Sequence, residues 1–418
     1  MRPVIKTFTW VLIGLFSLFC SREQKQRDTI RIGVIAPLKT VDGDLLFKAA
    51  QMSAAEINAQ GGILDRDIAL VPIDDANNLE TAQKNLYEVR KEHSLDFLVG
   101  GFTSAIVLGL MENIAEKPLV WLGTGAAHPD VIARIEADYQ KYKFYFRLGS
   151  TDARLQAKYN VDFILDNLLK KQGLKNFALL GTDLKFSRFV LGHIKKLLIE
   201  NGLKCTYESY FEAKTENFKK YFRNSVKSGA QFIISLTLGK EGTTYIRQYY
   251  DLKVPLPEIG NHVLANRLEW WEETGGKCAF NVHMRTQSGY FPYTHKTLAF
   301  YDQFLNHYGK HPAFLSFTAY DSLYIIREIG RKIGSLNTDK FIAALEKLDY
   351  VGNVRYRFTE HHDIIHGTVE GKKYIFPVFF QWYNDGKIYP IWPAEAAKKN
   401  YLYPEWIRPK AKNNEETP

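Results

Sequence analysis

The sequence predicts an α/β fold made of two successive lobes. Short apolar segments alternate with amphipathic ones along most of the 418 residues. The apolar segments are continuous, which is typical of parallel strands that helices cover on both faces. The alternation begins a second time near residue 176, and no stretch rich in proline, glycine or serine separates the two halves. This length suits two or three domains, or one two-lobed unit.

The strands and helices of the first lobe are predicted from the spacing of apolar residues and from the residues that end helices. Apolar residues of one helical face recur between Leu45 and Ile57, and Gly61 and Gly62 then stop the helix because glycine adopts the left-handed cap conformation. The predicted strands are 29–38, 68–74, 95–101 and 118–125, and the predicted helices are 42–59, 79–93, 104–116 and one that begins at "PDVIARI".

The second half repeats the pattern and then changes. Strands are predicted at 176–183, 204–211, 230–238 and 256–260, and helices at 189–202, 218–229 and 242–253. Three further helices follow at 294–309, 317–334 and 337–348. The segment 374–393 predicts a β-hairpin that turns at "NDG", residues 384–386.

The N-terminus is predicted to be a leader and not part of the fold. Basic residues precede an apolar run from Trp10 to Phe19 that is short for a membrane span and typical of an export signal. The run ends at Cys20, which resembles a bacterial lipoprotein signal, although Phe19 stands where such signals prefer a small residue. We expect a leader over 1–20 with a lipid anchor on Cys20, the alternatives being cleavage nearby or an uncleaved anchor, and a polar tether over 21–28.

The charge does not indicate a nucleic-acid partner. Lysine and arginine total 55 against 46 acidic residues, for a formal net charge of +9. The basic residues are scattered instead of forming a stripe, and no motif that reads DNA or RNA is present.

Several stretches carry a family resemblance: "IRIGVIAPL", "AAEINAQGGILDRDIALVPIDDANN", "VGGFTSAIVLG", "HPAFLSFTAYDSL" and "FQWYNDGKIYPIWP". Together they resemble the periplasmic type I solute-binding proteins, in particular the branched-chain amino acid receptors of ABC transporters. The resemblance implies two Rossmann-like lobes joined by three crossover segments, with a ligand cleft between them. It implies lobe one over 29–147 and 284–352, lobe two over 148–283 and 353–395, and a tail over 396–418.

The resemblance also implies the first half of a ligand site. The loop "GGFTSA" (100–105) joins a strand to a helix, where hydroxyls and free N–H groups favour an anion. In the family, the ligand carboxylate is held by a serine that matches Ser104 and by the loop after the next strand. Gly125 and Ala127 match the contacting positions of that second loop. Phe102 lies in the same loop as Ser104 and is a further candidate. Alternatively, Ser104 is only a helix cap. The spacing is not that of a dinucleotide site.

The second half of the implied site departs from the family. A tyrosine that stacks on the ligand matches Phe186, and a second one falls near Leu238. The acid that pairs with the ligand ammonium aligns with His262 in "IGNHVLA", unless the loop alignment slips and His262 is an ordinary loop histidine. Because an unpaired buried charge is expensive, this departure favours an amide, or a carboxylate with an apolar or aromatic body, over a free amino acid.

Other candidate residues are assigned structural roles. Asp74 and Asp75 follow a strand and precede a helix, so we expect them to accept N–H bonds at the helix start instead of forming a catalytic pair. A disulfide between Cys205 and Cys278 is excluded if the second sheet has the order 2-1-3-4-5, since the two residues then lie at opposite edges.

A histidine-rich stretch, "EHHDIIH", raises a metal site as an alternative. His361, His362 and His366 are close in sequence, but a zinc site also needs a fourth ligand and ordered geometry. We expect a surface loop there and neither a metal nor a cofactor.

Three functions compete at this point. The leading one is a monomeric extracytoplasmic receptor that delivers a small organic ligand to an ABC permease and ATPase complex. The second is a ligand sensor of the same fold that acts on a signalling partner. The third is an enzyme, which the absence of a nucleophile elbow, metal motif or phosphate loop disfavours.

Overall fold

The computed structural model describes residues 29–407. The β-strands are β1 Thr29–Ala36, β2 Asp67–Asp74, β3 Phe97–Gly100, β4 Val120–Gly123, β5 Tyr145–Arg147, β6 Asn176–Thr182, β7 Lys204–Phe211, β8 Phe232–Thr237, β9 Glu258–His262, β10 Val282–Arg285, β11 Tyr350–Val351, β12 Arg355–Tyr356, β13 Thr368–Val369, β14 Lys372–Lys373, β15 Val378–Trp382 and β16 Ile388–Trp392.

The α-helices are α1 Val41–Ala59, α2 Leu79–Glu92, α3 Ser104–Glu116, α4 Asp130–Ala137, α5 Tyr139–Tyr142, α6 Ala153–Ile164, α7 Lys185–Glu200, α8 Lys219–Lys227, α9 Glu241–Asp251, α10 Trp270–Thr274, α11 Thr297–Tyr308, α12 Phe314–Ile333 and α13 Thr338–Leu345. None of the helices in the described range is both long and apolar enough to cross a membrane.

The first lobe is a parallel five-stranded sheet in the order β2-β1-β3-β4-β5. Because β2 and β3 lie on opposite sides of β1, right-handed crossovers place α1 and α2 on opposite faces of the sheet. The late helix α12 packs beside α1, where the Ser316 hydroxyl donates to the Leu45 carbonyl at 3.0 Å. Helix α12 therefore packs with the first lobe, as the predicted return of the helices after residue 294 requires.

The second lobe contains a parallel sheet in the order β7-β6-β8-β9, which matches the predicted order for four strands. The expected fifth strand, β10, instead pairs antiparallel with β15, which in turn pairs with β16. The difference arises because the hairpin at the end of the chain returns to this lobe and takes β10 as its neighbour. Cys205 on β7 and Cys278 before β10 are both free, as expected.

The chain after α13 reaches the second lobe later than expected. The apolar side chains of Tyr356, Phe358 and Ile375 belong to the core of the first lobe. Phe379 and Ile391 of the final hairpin belong to the core of the second. We propose that the third crossover lies between residues 375 and 379 instead of at 353; the other implied lobe boundaries stay predictions.

One long helix was not predicted. Helix α6 begins after Asp152, whose side chain accepts from the Arg154 N–H, and it continues as a π-helical turn over 165–170. Its buried face includes the polar residues Gln156, Asn160 and Asn167, so the hydrophobic period is weak there. The described part of the tail packs on the second lobe, where the Trp406 indole donates to the Val254 carbonyl at 2.9 Å.

Candidate functional site

Two loops at the strand ends of the first lobe lie against each other. The Gly125 N–H donates to the Gly101 carbonyl at 2.9 Å, and the Ala126 N–H donates to the Phe102 carbonyl at 3.0 Å. A Cβ atom at Gly125 would lie 2.5 Å from the Phe102 carbonyl oxygen. The glycine is therefore required for this close approach, which sets the loop after β4 beside the start of α3.

Ser104 and Ala127 are brought together by this packing. Ser104 is the first residue of α3, and its hydroxyl oxygen accepts from the His128 N–H at 3.1 Å. The helix-cap alternative for Ser104 is wrong, because Thr103 occupies the N-cap position. A hydroxyl that accepts one bond still carries a proton to donate. The N–H of Ala127, the residue before His128, makes no hydrogen bond to the described residues, so the same loop offers a second donor.

Phe102 and Gly125, the other two predicted residues of this lobe, help to hold the donor loop in place. The Phe102 ring is half-buried and packs on the Phe314 ring, with centroids 6.1 Å apart. The Gly125 and Ala127 carbonyls accept from the Ser150 and Ala153 N–H groups at 3.0 and 2.9 Å. The donor loop is thus tied to residues 150–153, where the first crossover between the lobes is predicted.

In the second lobe the predicted residue Leu238 lies beside an acid that the sequence did not single out. Phe186 is half-buried at the start of α7 and packs on the second core. Glu241 is the first residue of α9 and is buried. Its Oε1 accepts from the Thr182 hydroxyl at 2.6 Å and from the Leu238 and Gly239 N–H groups, each at 3.0 Å. Its Oε2 makes no hydrogen bond within residues 29–407.

His262 lies inside the second lobe, and both of its ring nitrogens are occupied. Its Nε2 lies 2.9 Å from a Glu258 carboxylate oxygen, and its Nδ1 lies 2.7 Å from the Thr237 hydroxyl. The side chain is fully buried. In this conformation neither nitrogen is available to a ligand, so the implied role of His262 as a direct polar contact stays a prediction without support from its surroundings.

The two lobes approach each other in front of these loops. The His128 ring lies 5.0 Å from the Phe189 ring of α7, centroid to centroid. The Lys185 ammonium lies 3.8 Å from an Asp130 carboxylate oxygen. Burial lowers the pKa of His128, so its ring is neutral at pH 7 beside Lys185. These contacts join the loop after β4 to the start of α7.

A buried ion cluster holds the first crossover. The Arg147 guanidinium at the end of β5 lies 2.8 Å from an Asp152 oxygen and 2.7 Å from an Asp363 oxygen. It also donates to the Ala126 and His128 carbonyls at 3.3 Å. Burial opposes the charge of Arg147, but the two carboxylates outweigh it and raise the pKa of Arg147.

The paired aspartates are scaffold, although they do not cap the next helix. Asp74 accepts from the Leu38 and Ala76 N–H groups, and Asp75 accepts from the Asn77 N–H at 2.8 Å. The cap of α2 is Asn78, which accepts from the Thr81 N–H. The carboxylates therefore shape the loop before the helix.

The histidine stretch is not a surface loop throughout. His362 is fully buried: its ring stacks on Phe146 at 3.8 Å, its Nδ1 lies 3.1 Å from the Tyr145 carbonyl, and its Nε2 lies 3.1 Å from a Glu346 oxygen. The expectation of exposure is wrong for His362, because the segment 353–375 packs on the first core. Within residues 29–407 no group of three or more His, Cys, Asp or Glu side chains is arranged to hold a metal ion.

Two α/β lobes whose strand ends meet across polar loops define a two-lobed ligand-binding protein. More specifically, the chain belongs to the periplasmic binding protein family, whose model matches residues 29–371. This is a family of solute-binding receptors, not of enzymes.

Individual relatives agree with this assignment. The chain is 25% identical to the Leu/Ile/Val-binding protein BraC3 of Rhizobium johnstonii over 269 residues, which cover 62% of this chain and 69% of the relative. A putative branched-chain amino acid ABC transporter protein from Silicibacter pomeroyi superposes with a TM-score of 0.78 at 16% identity, over 91% of this chain and all of the other. LivJ from Streptococcus pneumoniae, solved with isoleucine, gives 0.72 at 17% identity, over 86% and 98%.

Proposed function

We propose that this protein is an extracytoplasmic receptor that captures a small organic solute by hinge closure and delivers it to an ABC importer. The observation that carries the proposal is the placement of donors and acceptor at the strand ends. The Ser104 hydroxyl and the Ala127 N–H lie together on the first lobe, and the Glu241 carboxylate lies at the strand ends of the second. This polarity suits a solute with an anionic and a cationic end.

We further propose that the solute is an α-amino acid with an apolar side chain. The sequence argument against amino acids depended on His262 replacing the acid of the second lobe. Glu241 supplies an acid beside Leu238, and its Oε2 is free to accept from an ammonium. Relatives named for leucine, isoleucine and valine, and solved with leucine or isoleucine, support the same class. Phe186 and Leu238 offer apolar surface to the side chain.

Three probes test which ends of the solute are recognised. Leucine has both charges, leucinamide lacks the carboxylate, and 4-methylpentanoate lacks the ammonium. We expect leucine to bind most tightly in calorimetric titration. Glu241→Gln keeps the shape and the Oε1 acceptor but removes the charge. It should weaken leucine by about 3 kcal/mol, or roughly two decades, and leave 4-methylpentanoate unchanged.

Other results would contradict the ligand class. Tighter binding of 4-methylpentanoate than of leucine would restore the carboxylic acid expected from the sequence. An equal loss of both probes in Glu241→Gln would mean that Glu241 only holds its loop. If none of the probes binds, native mass spectrometry of protein purified from its own envelope identifies the retained solute, and a solute without a carboxylate would refute the donor pair.

We also propose that Cys20 carries a lipid anchor. Its support is the basic and apolar leader that ends at this cysteine, and residue 20 lies outside the described residues. Mass spectrometry of the native N-terminal peptide should show a diacylglyceryl group on Cys20. A mature chain that begins at another residue would contradict the anchor.

A further inference from the structure

The second crossover begins at a buried arginine. His283 and Arg285 alternate on β10 and therefore lie on one face of the strand, with side chains 1% and 5% exposed. Val282 and Met284 of the other face belong to the second core. The Arg285 guanidinium lies 5.0 Å from the centroid of the Phe380 ring, which belongs to the neighbouring strand β15.

No acidic residue compensates this cation. Arg285 donates through Nη2 to the Ala265 and Asn266 carbonyls, at 3.3 and 3.1 Å, and through Nε to His283 at 3.2 Å. Its Nη1 makes no hydrogen bond, and no carboxylate lies within 4.0 Å, among the residues that the structure describes. Burial lowers the pKa of Arg285. A buried charge without a counter-ion is unfavourable unless an anion joins it.

Two neutral donors near Arg285 are also without acceptors. His283 accepts from Arg285 at Nε2, so its ring proton is on Nδ1, and this Nδ1 is buried without a partner in the described chain. Burial, and then the charge of Arg285, lower the pKa of His283 well below its usual value, which keeps the ring neutral. The Tyr293 hydroxyl is likewise buried without a partner in the described chain. Burial raises the pKa of Tyr293, and the nearby charge of Arg285 opposes this rise only in part.

The backbone at Gly289 lies close to the free end of the guanidinium. Gly289 has a φ of +90°, and a Cβ atom there would lie 2.2 Å from Arg285 Nη1. Only a glycine at this point lets the backbone lie this close to Nη1, because any side chain would displace the guanidinium. The free Nη1 of a charged guanidinium and two neutral donors that lack acceptors form a set that complements an anion such as a carboxylate.

We propose that Arg285, His283 and Tyr293 form a buried carboxylate site at the second crossover between the lobes. The carboxylate comes either from a free small acid or from a solute that extends from the cleft, since Arg285 contacts the carbonyls just after β9. The site joins a strand of the second lobe to the crossover segment, so its occupation stabilises the crossover. The inference does not depend on the proposed solute, because its donors are separate from Ser104, Ala127 and Glu241.

Thermal unfolding of the full chain with formate tests the site, at constant ionic strength. Formate should raise the Tm of the wild type, and Arg285→Met should abolish the rise. Tyr293→Phe removes only an unpartnered hydroxyl and preserves the ring. It should bind formate about tenfold more weakly, as expected for a lost hydrogen bond to a charged group. Tyr145→Phe is the matched control, because it removes a buried hydroxyl that also lacks a partner in the described residues, but in the first lobe.

Succinate and Ser104→Ala separate the two sources. A formate response that Ser104→Ala leaves intact indicates a free acid at the crossover. A response to succinate alone, lost in both Ser104→Ala and Arg285→Met, indicates one solute that reaches both sites. The proposal is refuted if the wild type responds to neither acid, or if Tyr293→Phe responds as fully as Tyr145→Phe. If Tyr293→Phe responds as fully as Tyr145→Phe, the Tyr293 hydroxyl is hydrogen-bonded to water and not to the acid. Neither refutation bears on leucine binding.

Discussion

Ser104 shows how one hydroxyl can serve the scaffold and the solute together. Its oxygen accepts from the His128 N–H, and its proton remains for a carboxylate. Ser104→Ala removes both bonds without changing the backbone. We expect the affinity for leucine to fall by about 1–2 kcal/mol, the scale of a hydrogen bond to a charged group, as measured by isothermal titration.

The neighbouring Thr103 provides the control for this prediction. It is the N-cap of α3, but its side chain makes no capping bond. Thr103→Val removes a hydroxyl from the same loop and should leave the affinity unchanged. Equal losses in the two variants would show that the loop responds to any lost hydroxyl, and unchanged affinity in Ser104→Ala would limit Ser104 to its bond with His128.

Asp75 gives a prediction about pH. The residue is fully buried, its Oδ2 lacks a partner among residues 29–407, and burial raises the pKa of Asp75 to about 6. The folded state therefore holds this proton more tightly than the unfolded state. The proton on Asp75 therefore stabilises the folded state fully at a pH below the pKa of the unfolded chain. This contribution to the free energy of unfolding, at most about 3 kcal/mol, is lost as the pH rises through about 6.

Denaturant unfolding at pH 5 and pH 7.5 tests this titration. Asp75→Asn keeps the Oδ1 acceptor for the Asn77 N–H and cannot ionise, so its stability should fall less between the two values than that of the wild type. Asp74→Asn leaves Asp75 able to ionise and removes only the smallest of the effects that act on its pKa, so it should follow the wild type closely. Parallel curves for the wild type and Asp75→Asn would show that Asp75 does not titrate in this range.

The sequence could place some site residues and not others, for a physical reason. Ser104, Gly125 and Ala127 follow strands whose carboxyl ends must meet at one edge of a parallel sheet, so their proximity follows from order alone. The direction in which each side chain points does not follow from the order of the strands. His262 ends β9, yet its ring turns into the lobe toward Glu258 and Thr237. Glu241 was overlooked because an acid at a helix start is also a common cap.

At the scale of elements, the close packing of two loops determines the first half of the site. Gly125→Ala would place a Cβ atom 2.5 Å from the Phe102 carbonyl oxygen, a backbone group that cannot turn away. The loop after β4 must shift, and with it the Ala127 N–H. We expect a loss of leucine affinity of at least about tenfold together with a lower Tm, measured by titration and thermal unfolding.

Gly192 provides the control for the change of a glycine to alanine. Gly192 lies inside α7, where an added Cβ meets nothing within 4 Å. Gly192→Ala should stabilise the protein by about 0.5–1 kcal/mol, because glycine is unfavourable in helix interiors, and should leave the affinity unchanged. A harmless Gly125→Ala would mean that the loop adapts and that its packing does not position the site.

The elements that the sequence missed are those with buried polar residues. The strands and helices with strong apolar periods were predicted to within a few residues. Helix α6 was missed because Asn160 and Asn167 interrupt its apolar face. The segment around His362 was taken for a surface loop because its histidines and acids read as polar, whereas the ring of His362 is satisfied by Tyr145 and Glu346. Hydrogen-bond partners distant in sequence are not visible in a local pattern.

At the scale of the whole molecule, the crossovers carry buried charges. Arg147 is fully compensated at the first crossover by Asp152 and Asp363. Arg285 has no such partner at the second. The first crossover therefore needs no bound molecule to compensate its buried charge. The described hydrogen-bond partners of the charge at the second crossover are all neutral, and this asymmetry is the basis for proposing a carboxylate there.

The last prediction concerns closure of the lobes. Asp130 of the first lobe and Lys185 of the second lie within 3.8 Å of each other, so this pair reports the closed state. We propose Asp130→Cys with Lys185→Cys, in a chain whose Cys20 and Cys205 are replaced by serine. Cys278 remains, because it is buried and burial raises the pKa of its thiol to about 12. If the solute closes the hinge, leucine should accelerate cross-linking by a short bismaleimide several-fold, since bound ligand shifts the population toward the closed state.

A pair within one lobe makes the measurement specific for closure. Lys143 and Asp339 lie 3.0 Å apart, and both belong to the first lobe. Lys143→Cys with Asp339→Cys should react at the same rate with and without leucine, because no hinge separates the two residues. A ligand effect on both pairs would reflect general rigidity instead of closure. If leucine binds in titration and changes neither rate, the contacts of His128 and Lys185 with the opposite lobe persist without solute, and this receptor captures its ligand without hinge closure.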